Sequence, residues 1–496
     1  FSTILNPVGS SWTVELVLVA ICVAIAILLR NWLKRPSNYP PGPLGIPGLG
    51  VIPFLSTFPQ REFLKWSKKY GPMFSARFGL QKWVVLNDYD SVVQTLVKNS
   101  QSFHGRPSIR LFIETWTPLG IVFSTGGTIW KTHRNFGTRA VRSINQNSME
   151  ETINIEIKEY VARLGEHSGT SVDIHEILIH AVANVFCTFN LGKRFDYDDE
   201  KFNLLVKCIL NEKHTHPAGF NPTIFRLTFP LCRNKLSKVE RSVINEISIA
   251  GIVRQVVKDS TDKIETEDKN MMNSYLNKSL SIASSIEGYT TEDTVGFFTD
   301  LFIGGTETLT SQLRWGFLTM ALHPEYQTRV RCEIDDVIGR NGTAKLSDQS
   351  KMPFTRAVIA ELLRFRTLGP LSLPRAAVKD VTVQGYKIPK GTNVFLNAWG
   401  LHNDEKIWET PHLFIPDRHL DPDGNFVSSK YILPFGAGVR SCLGENLARA
   451  ELFLVFVATL QNFELSVDEN KPPSLDEGRS GIIYTPNPFN LIINQR

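Results

Sequence analysis

The sequence predicts a mainly α protein with small β-sheets, built as one large domain behind an apolar N-terminal segment. Three observations lead there. From about residue 150 onward, long amphipathic stretches dominate, with apolar positions recurring at helical spacing. Thr294 to Leu322 is a long, largely apolar helix candidate. Short apolar runs such as Trp83–Leu86 and Val381–Gln384 read as strands of small sheets.

Taken in order, Trp12 to Leu29 is almost wholly apolar, with Glu15 its one charge, and is just long enough to span a bilayer. Arg30, Lys34 and Arg35 follow, so by the positive-inside rule the chain beyond them faces the cytosol. No basic stretch precedes the segment and no small-x-small site follows it, which favours an uncleaved anchor over a signal peptide. The sequence starts at Phe1 rather than methionine, and a few preceding residues are expected. Pro36 to Pro53 is a stiff proline-rich stretch with glycine breaks, unsuited to an α-helix. Arg61 to Tyr70 reads as a helix leading into a small sheet. The expected organisation is therefore an anchor and basic stop over 1–35, a hinge over 36–58 and one main domain over 59–496.

A length of 496 residues alone would allow about three domains. No linker, charge run or repeat divides 60–496, so one is expected. With 42% hydrophobic and 21% charged residues, disordered and collagen-like classes are excluded. A net charge of +5, with no basic run interleaved with aromatics, argues against nucleic acid. It suits an anionic membrane surface or an acidic protein partner. The six cysteines are scattered and form no C-x-x-C pair, so neither a disulfide framework nor a zinc site is expected. Such usage fits a reducing, cytosol-facing compartment.

Phe435-Gly436-Ala437-Gly438-Val439-Arg440-Ser441-Cys442-Leu443-Gly444 carries the most chemistry. A cysteine sits in a glycine-punctuated loop, two residues after an arginine and seven after a phenylalanine, with a helix expected from near Leu443. This loop resembles the haem-thiolate loop of the cytochrome P450 family, F-x-x-G-x-R-x-C-x-G, at all five fixed positions. The resemblance implies that Cys442 is the metal ligand. A thiolate pushes electron density onto haem iron and favours O–O cleavage. Gly438 and Gly444 are expected to let the backbone close around the sulfur. Phe435 would cover the ring, and Arg440 would pair with a haem propionate.

Four further stretches match the family in order. Trp130-Lys131-Thr132-His133-Arg134 fits its W-x-x-x-R helix, where Trp130 and Arg134 share one face and would both donate to a propionate. Gly304-Gly305-Thr306-Glu307-Thr308 is similar to its oxygen-binding helix motif. Two mid-helix glycines cost roughly 1 kcal/mol each and call for a reason. The resemblance implies that Thr308 and Glu307 handle protons. Leu309 stands where many relatives have threonine. Glu361-Leu362-Leu363-Arg364 fits E-x-x-R, 78 residues before Cys442 (442 − 364). In the family that pair holds a later arginine, here Arg418, and His419 replaces the usual phenylalanine, so a local packing change is expected. Arg375 matches a basic position that contacts a propionate.

The resemblance spans essentially the whole chain. It implies the P450 fold, a mainly α triangular prism with one haem b, and monooxygenation of an apolar substrate. It further implies electrons from NADPH through a flavoprotein reductase, with cytochrome b5 as a second partner, at the endoplasmic reticulum membrane. Gly192 to Asp199 resembles the microsomal group. Leu401–Trp408 and Leu433–Leu454 resemble the steroid 17α-hydroxylase/17,20-lyase branch and its aromatic-hydrocarbon-oxidising neighbours. Xenobiotic or fatty-acid hydroxylation is the alternative within the family. A haem-thiolate rearrangement enzyme or a non-catalytic haem sensor is the alternative outside that chemistry. The Glu307-Thr308 pair counts against the rearrangement enzyme, and the lack of an appended signalling domain against the sensor. Lys201 to Ser285, which caps the substrate pocket in the family, is the least family-like region.

Overall fold

One long helix organises the molecule. Helix α7, Thr291–Leu322, runs about 48 Å through the core at 1.5 Å per residue. It starts three residues before the expected Thr294. Thr290 and Asp293 form a capping box that satisfies the first backbone donors. In the computed structural model of the chain, residues 14–23, 26–27, 35, 37–107, 119–215, 249–261, 271–272, 274–276, 286–468 and 472–496 are described.

The other helices named here are α1 (Pro59–Tyr70), α2 (Thr128–Ser143), α3 (Gln146–Gly165), α4 (His175–Leu191), α5 (Glu200–Thr215), α6 (Ile249–Thr261), α8 (Pro324–Val337), α9 (Pro353–Phe365) and α10 (Glu445–Asn462). Helix α10 is buried almost all round, and Phe456 stacks on Phe317 of α7 with ring centroids 5.9 Å apart. Trp315 of α7 is fully buried and donates its indole N–H to the Tyr484 carbonyl at 2.9 Å. Burying a side chain of this size contributes about 1.5–3 kcal/mol.

The main sheet has four strands: β1 (Met73–Phe78), β2 (Gln81–Leu86), β4 (Arg375–Ala376) and β7 (Asn393–Leu396), in the order β1-β2-β7-β4. β2 pairs antiparallel with β1 and parallel with β7, Trp83 opposite Asn393. A second sheet joins β3 (Ser171–Val172), β11 (Leu491–Gln495) and β8 (Phe463–Ser466). Two hairpins complete the set, β5 (Val381–Val383) with β6 (Tyr386–Ile388), and β9 (Gly478–Arg479) with β10 (Thr485–Pro486).

The proline-rich stretch lies against β1: Ser75 donates its backbone N–H to the Pro41 carbonyl at 2.6 Å, and Val51 is fully buried. The expected span Trp12–Leu29 falls partly outside the described residues, where residues 14–23 are helical and exposed. Among the described residues no helix is long and apolar enough to cross a membrane. Residues 216–248, and most of 262–285, in the expected pocket cap also lie outside them.

Candidate cofactor and active site

The cysteine loop is closed by its own backbone. The Gly436 N–H donates to Leu433 O at 3.2 Å, and the Cys442 N–H donates to Phe435 O at 2.8 Å. Gly438 has φ +72° and a Cβ there would meet the Leu96 carbonyl at 1.7 Å, so no other residue fits. Gly444 differs from expectation. Its φ is −90° and a Cβ would meet nothing, so it makes no steric demand. Its contribution is its N–H, which acts on the Cys442 sulfur. Helix α10 starts at Glu445 with Gly444 as its N-cap, two residues later than the expected Leu443.

The Cys442 sulfur opens to solvent yet is ringed by protein. Packing around it raises the thiol pKa, and the Gly444 N–H, Arg134 and Arg449 oppose that push. Phe435 is half-buried, with the Arg449 guanidinium 4.7 Å from its ring centre.

Beside the loop, four arginines share one recess. Arg440 donates to His104 O at 2.9 Å, Ile121 O at 2.8 Å and Ser124 O at 2.7 Å, and lies 3.8 Å over the Trp130 ring. Arg134 donates to Ser441 O at 2.8 Å, and Arg375 to Ala437 O at 3.0 Å. Arg106 donates to Val122 O at 2.7 Å and Pro374 O at 2.7 Å. The Trp130 indole N–H, expected to reach a propionate, donates to Ile121 O at 3.1 Å. Trp130 thereby serves as the floor on which Arg440 lies.

These guanidiniums are buried in one another's field. Arg440 is pushed down to about 8, first by burial and then by Arg106, Arg375 and Arg134. Arg375 is pushed well down by burial, Arg106 and Arg134. Guanidinium holds its proton in nearly any protein setting. The push reflects burial first, and then the like charge that the recess gathers. Among the described residues the carboxylate acting on the cluster is Asp300 of α7, which accepts the Val122 N–H at 2.8 Å. Burial pushes it up to about 7, against the Val122 and Ile121 N–H groups, Arg106 and Arg440. Arg375 also keeps a buried Nε with no hydrogen-bond partner among the described residues. Four cations and one anion make a receptor for a dianion, so the two propionates of haem fit. Sequence reasoning missed Arg106 and Asp300. For Asp300 the signal was an acid inside an apolar helix, eight residues before Thr308 and on its face.

On the same helix the two glycines divide the work. A Cβ at Gly305 would meet the Phe186 ring of α4 at 2.8 Å, so this glycine allows helix packing. A Cβ at Gly304 would meet nothing, so this glycine keeps the helix face open. Thr308 donates to Gly304 O at 2.6 Å, which loads the preceding turn. Glu307 is buried and accepts from Ser311 at 2.7 Å.

The E-x-x-R network is self-contained. Glu361 and Arg364 are both fully buried and pair at 2.7 Å. Arg418 joins Glu361 at 3.1 Å, as expected. His419 does more than change local packing: its Nε2 lies 2.9 Å from the Glu361 carboxylate and it becomes a fourth member. Burial alone would raise Glu361, but Arg364, His419 and the Ile415 N–H hold it down at about 2.

A mainly α fold with a cation-rich recess beside a loop cysteine defines the haem-thiolate class of proteins. The chain belongs to the cytochrome P450 family, whose model matches residues 40–493. It is 32% identical to cytochrome P450 2U1 of Homo sapiens, over 96% of this chain and 93% of that one. It is 32% identical to cytochrome P450 2D6 of Pan paniscus and 33% identical to cytochrome P450 2C20 of Macaca fascicularis, each over 96% of this chain and 98% of the relative. The chain is thus a P450 of the microsomal group, an enzyme and a monooxygenase, and the family implies haem.

Proposed function

We propose that this monooxygenase inserts one atom of O₂ into an apolar substrate of steroid size, with 17α-hydroxylation as the first candidate reaction. Electrons come from NADPH through a flavoprotein reductase, with cytochrome b5 as a further donor. Residues 1–35 anchor it in the endoplasmic reticulum membrane, 36–58 form the hinge, and 59–496 face the cytosol as the catalytic domain. The observation that carries the haem site is the surplus of buried cations beside Cys442. The steroid reading rests on Leu401–Trp408 and Leu433–Leu454, which belong to the framework.

Arg134, Arg375 and Arg440 would hold a haem through its propionates, Trp130 supports Arg440, Phe435 would shield the ring, and Cys442 would ligate the iron. Gly438 and Gly444 shape and polarise the loop. Haem, when bound, supplies oxygen activation. Thr308, on the open face of α7, and the buried Glu307 beside it hold and pass protons, Thr308 from its hydroxyl and Glu307 from its carboxyl.

Cys442→Ala tests the ligand. Reduced, CO-treated protein should lose the absorption band that marks thiolate-ligated haem, and a band that survived would refute the assignment. Thr308→Ala tests proton handling. Haem content and substrate binding should stay near the parent value, while product per NADPH falls, by up to the roughly 10²–10⁴-fold that positioned acid–base groups contribute. Peroxide should rise in step. Spin-shift titration with steroids, polycyclic aromatics and fatty acids chooses the substrate class. A response to the last two and not to steroids would replace the steroid reading with the xenobiotic one.

A further inference from the structure

His402 lies fully buried between the E-x-x-R helix α9 and the start of the cysteine loop. Its hydrogen bonds fix its tautomer. Thr367 donates its one hydroxyl proton to the Arg364 carbonyl at 2.8 Å. Towards His402 Nδ1, 2.7 Å away, Thr367 Oγ1 is therefore an acceptor, and Nδ1 carries the hydrogen. That leaves Nε2 with a lone pair, and the Leu433 backbone N–H donates to it at 2.9 Å. Arg364 in turn donates to the His402 carbonyl at 2.8 Å.

From Leu433 the line continues to the cysteine. The Leu433 carbonyl accepts the Gly436 N–H, and the Phe435 carbonyl accepts the Cys442 N–H. A residue at position 402 without an acceptor would leave the part-buried Leu433 N–H without this partner.

We propose that His402, as the Nδ1–H tautomer, is a positioning residue for the thiolate loop: it ties the Glu361–Arg364 network to the Leu433 N–H and so sets the backbone that presents Cys442. The proposal rests on the reading of Cys442 as ligand for its functional meaning, but not for its geometry. Burial, and next the Arg364 charge, push His402 down to about 3 against Glu361, so the ring is neutral across the working range and keeps its acceptor.

The experiment uses full-length, haem-loaded protein and four variants: His402→Leu, His402→Gln, Thr367→Val and Cys442→Ala. Two properties are read. One is amide hydrogen exchange in the peptide spanning 430–436, against peptides from α7 and α10. The other is the rate at which the reduced CO complex loses its thiolate-type band. His402→Leu should exchange about tenfold faster at 430–436, the scale of one lost hydrogen bond, with α7 and α10 unchanged. Its thiolate band should decay faster by a similar factor. His402→Gln should restore most of both, since its amide oxygen can accept where Nε2 did. Thr367→Val frees the tautomer and should move both readouts the same way by less. Parent-like exchange at 430–436 in the Leu and Val variants overturns the proposal. So does a rise shared by all peptides, which marks general destabilisation. If His402→Leu fails to load haem, Thr367→Val and the Gln rescue decide. Cys442→Ala should lose the band yet keep slow exchange at 430–436, which separates failure of the ligand assignment from failure of the link.

Discussion

Arg364 and Arg375 are both buried arginines in the C-terminal third of the chain, yet their surroundings solve opposite problems. Arg364 has its counter-charge inside the protein: Glu361 pairs with it, and three backbone carbonyls take its remaining donors. Arg375 shares its recess with Arg106, Arg134 and Arg440, and among the described residues Asp300 is the acid that acts on them. A buried charge that is closed by its own chain is a structural node. One left in surplus is a receptor. Burial alone does not distinguish the two, whereas counting charge in each cluster does.

The contrast predicts substitutions with opposite signs. Glu361→Gln should have the largest effect, a loss of about 3–5 kcal/mol, because Arg364 would be left buried without an anion. Chemical denaturation of the haem-loaded enzyme measures it, and a loss below 1 kcal/mol would make the node dispensable. The pH profile sharpens the point. Glu361 is held at about 2 in the folded chain, against an ordinary value near ~4.3 when unfolded. Its depressed pKa contributes on the order of 3 kcal/mol above pH ~4.3, lost as pH falls towards ~2. Glu361→Gln should flatten acid unfolding in that window.

Arg375→Met should behave in the reverse manner. Removing one uncompensated buried cation should stabilise the haem-free protein by about 1–2 kcal/mol, while haem is lost to an acceptor globin about tenfold faster. Equal destabilisation of both forms would erase the distinction between receptor and node. His419→Phe should have the smallest effect. Glu361 keeps Arg364 and Arg418, so the loss should be about 1 kcal/mol, with acid unfolding beginning at higher pH. No change at all would show that the 2.9 Å contact adds nothing.

Much of this was legible in the sequence because it is local. The period of Thr294–Leu322 located α7, and the glycine-punctuated loop located Cys442. W-x-x-x-R and E-x-x-R each lie within a turn or so of one helix. What stayed hidden is non-local. Arg106 meets Asp300 only because α7 packs beneath the loop after Gly120. His402 matters because Leu433, thirty-one residues later, turns back to it. His419 was read as a packing change because a side chain's partner across the fold cannot be inferred from its own position. Gly444 was assigned a steric role by pattern, where its N–H is what counts.

The parallel pairing of β2 with β7 sets a timetable for synthesis. Leu86 ends one strand and Asn393 begins the other, 307 residues apart (393 − 86). At roughly 5–20 residues per second on the ribosome, the β1–β2 hairpin waits about 15–60 s for its neighbour. Throughout that interval β2 presents an unpaired edge and the apolar side chains of Val84 and Val85, which the finished protein buries completely. The nascent chain must therefore be shielded at its beginning until its end has been made.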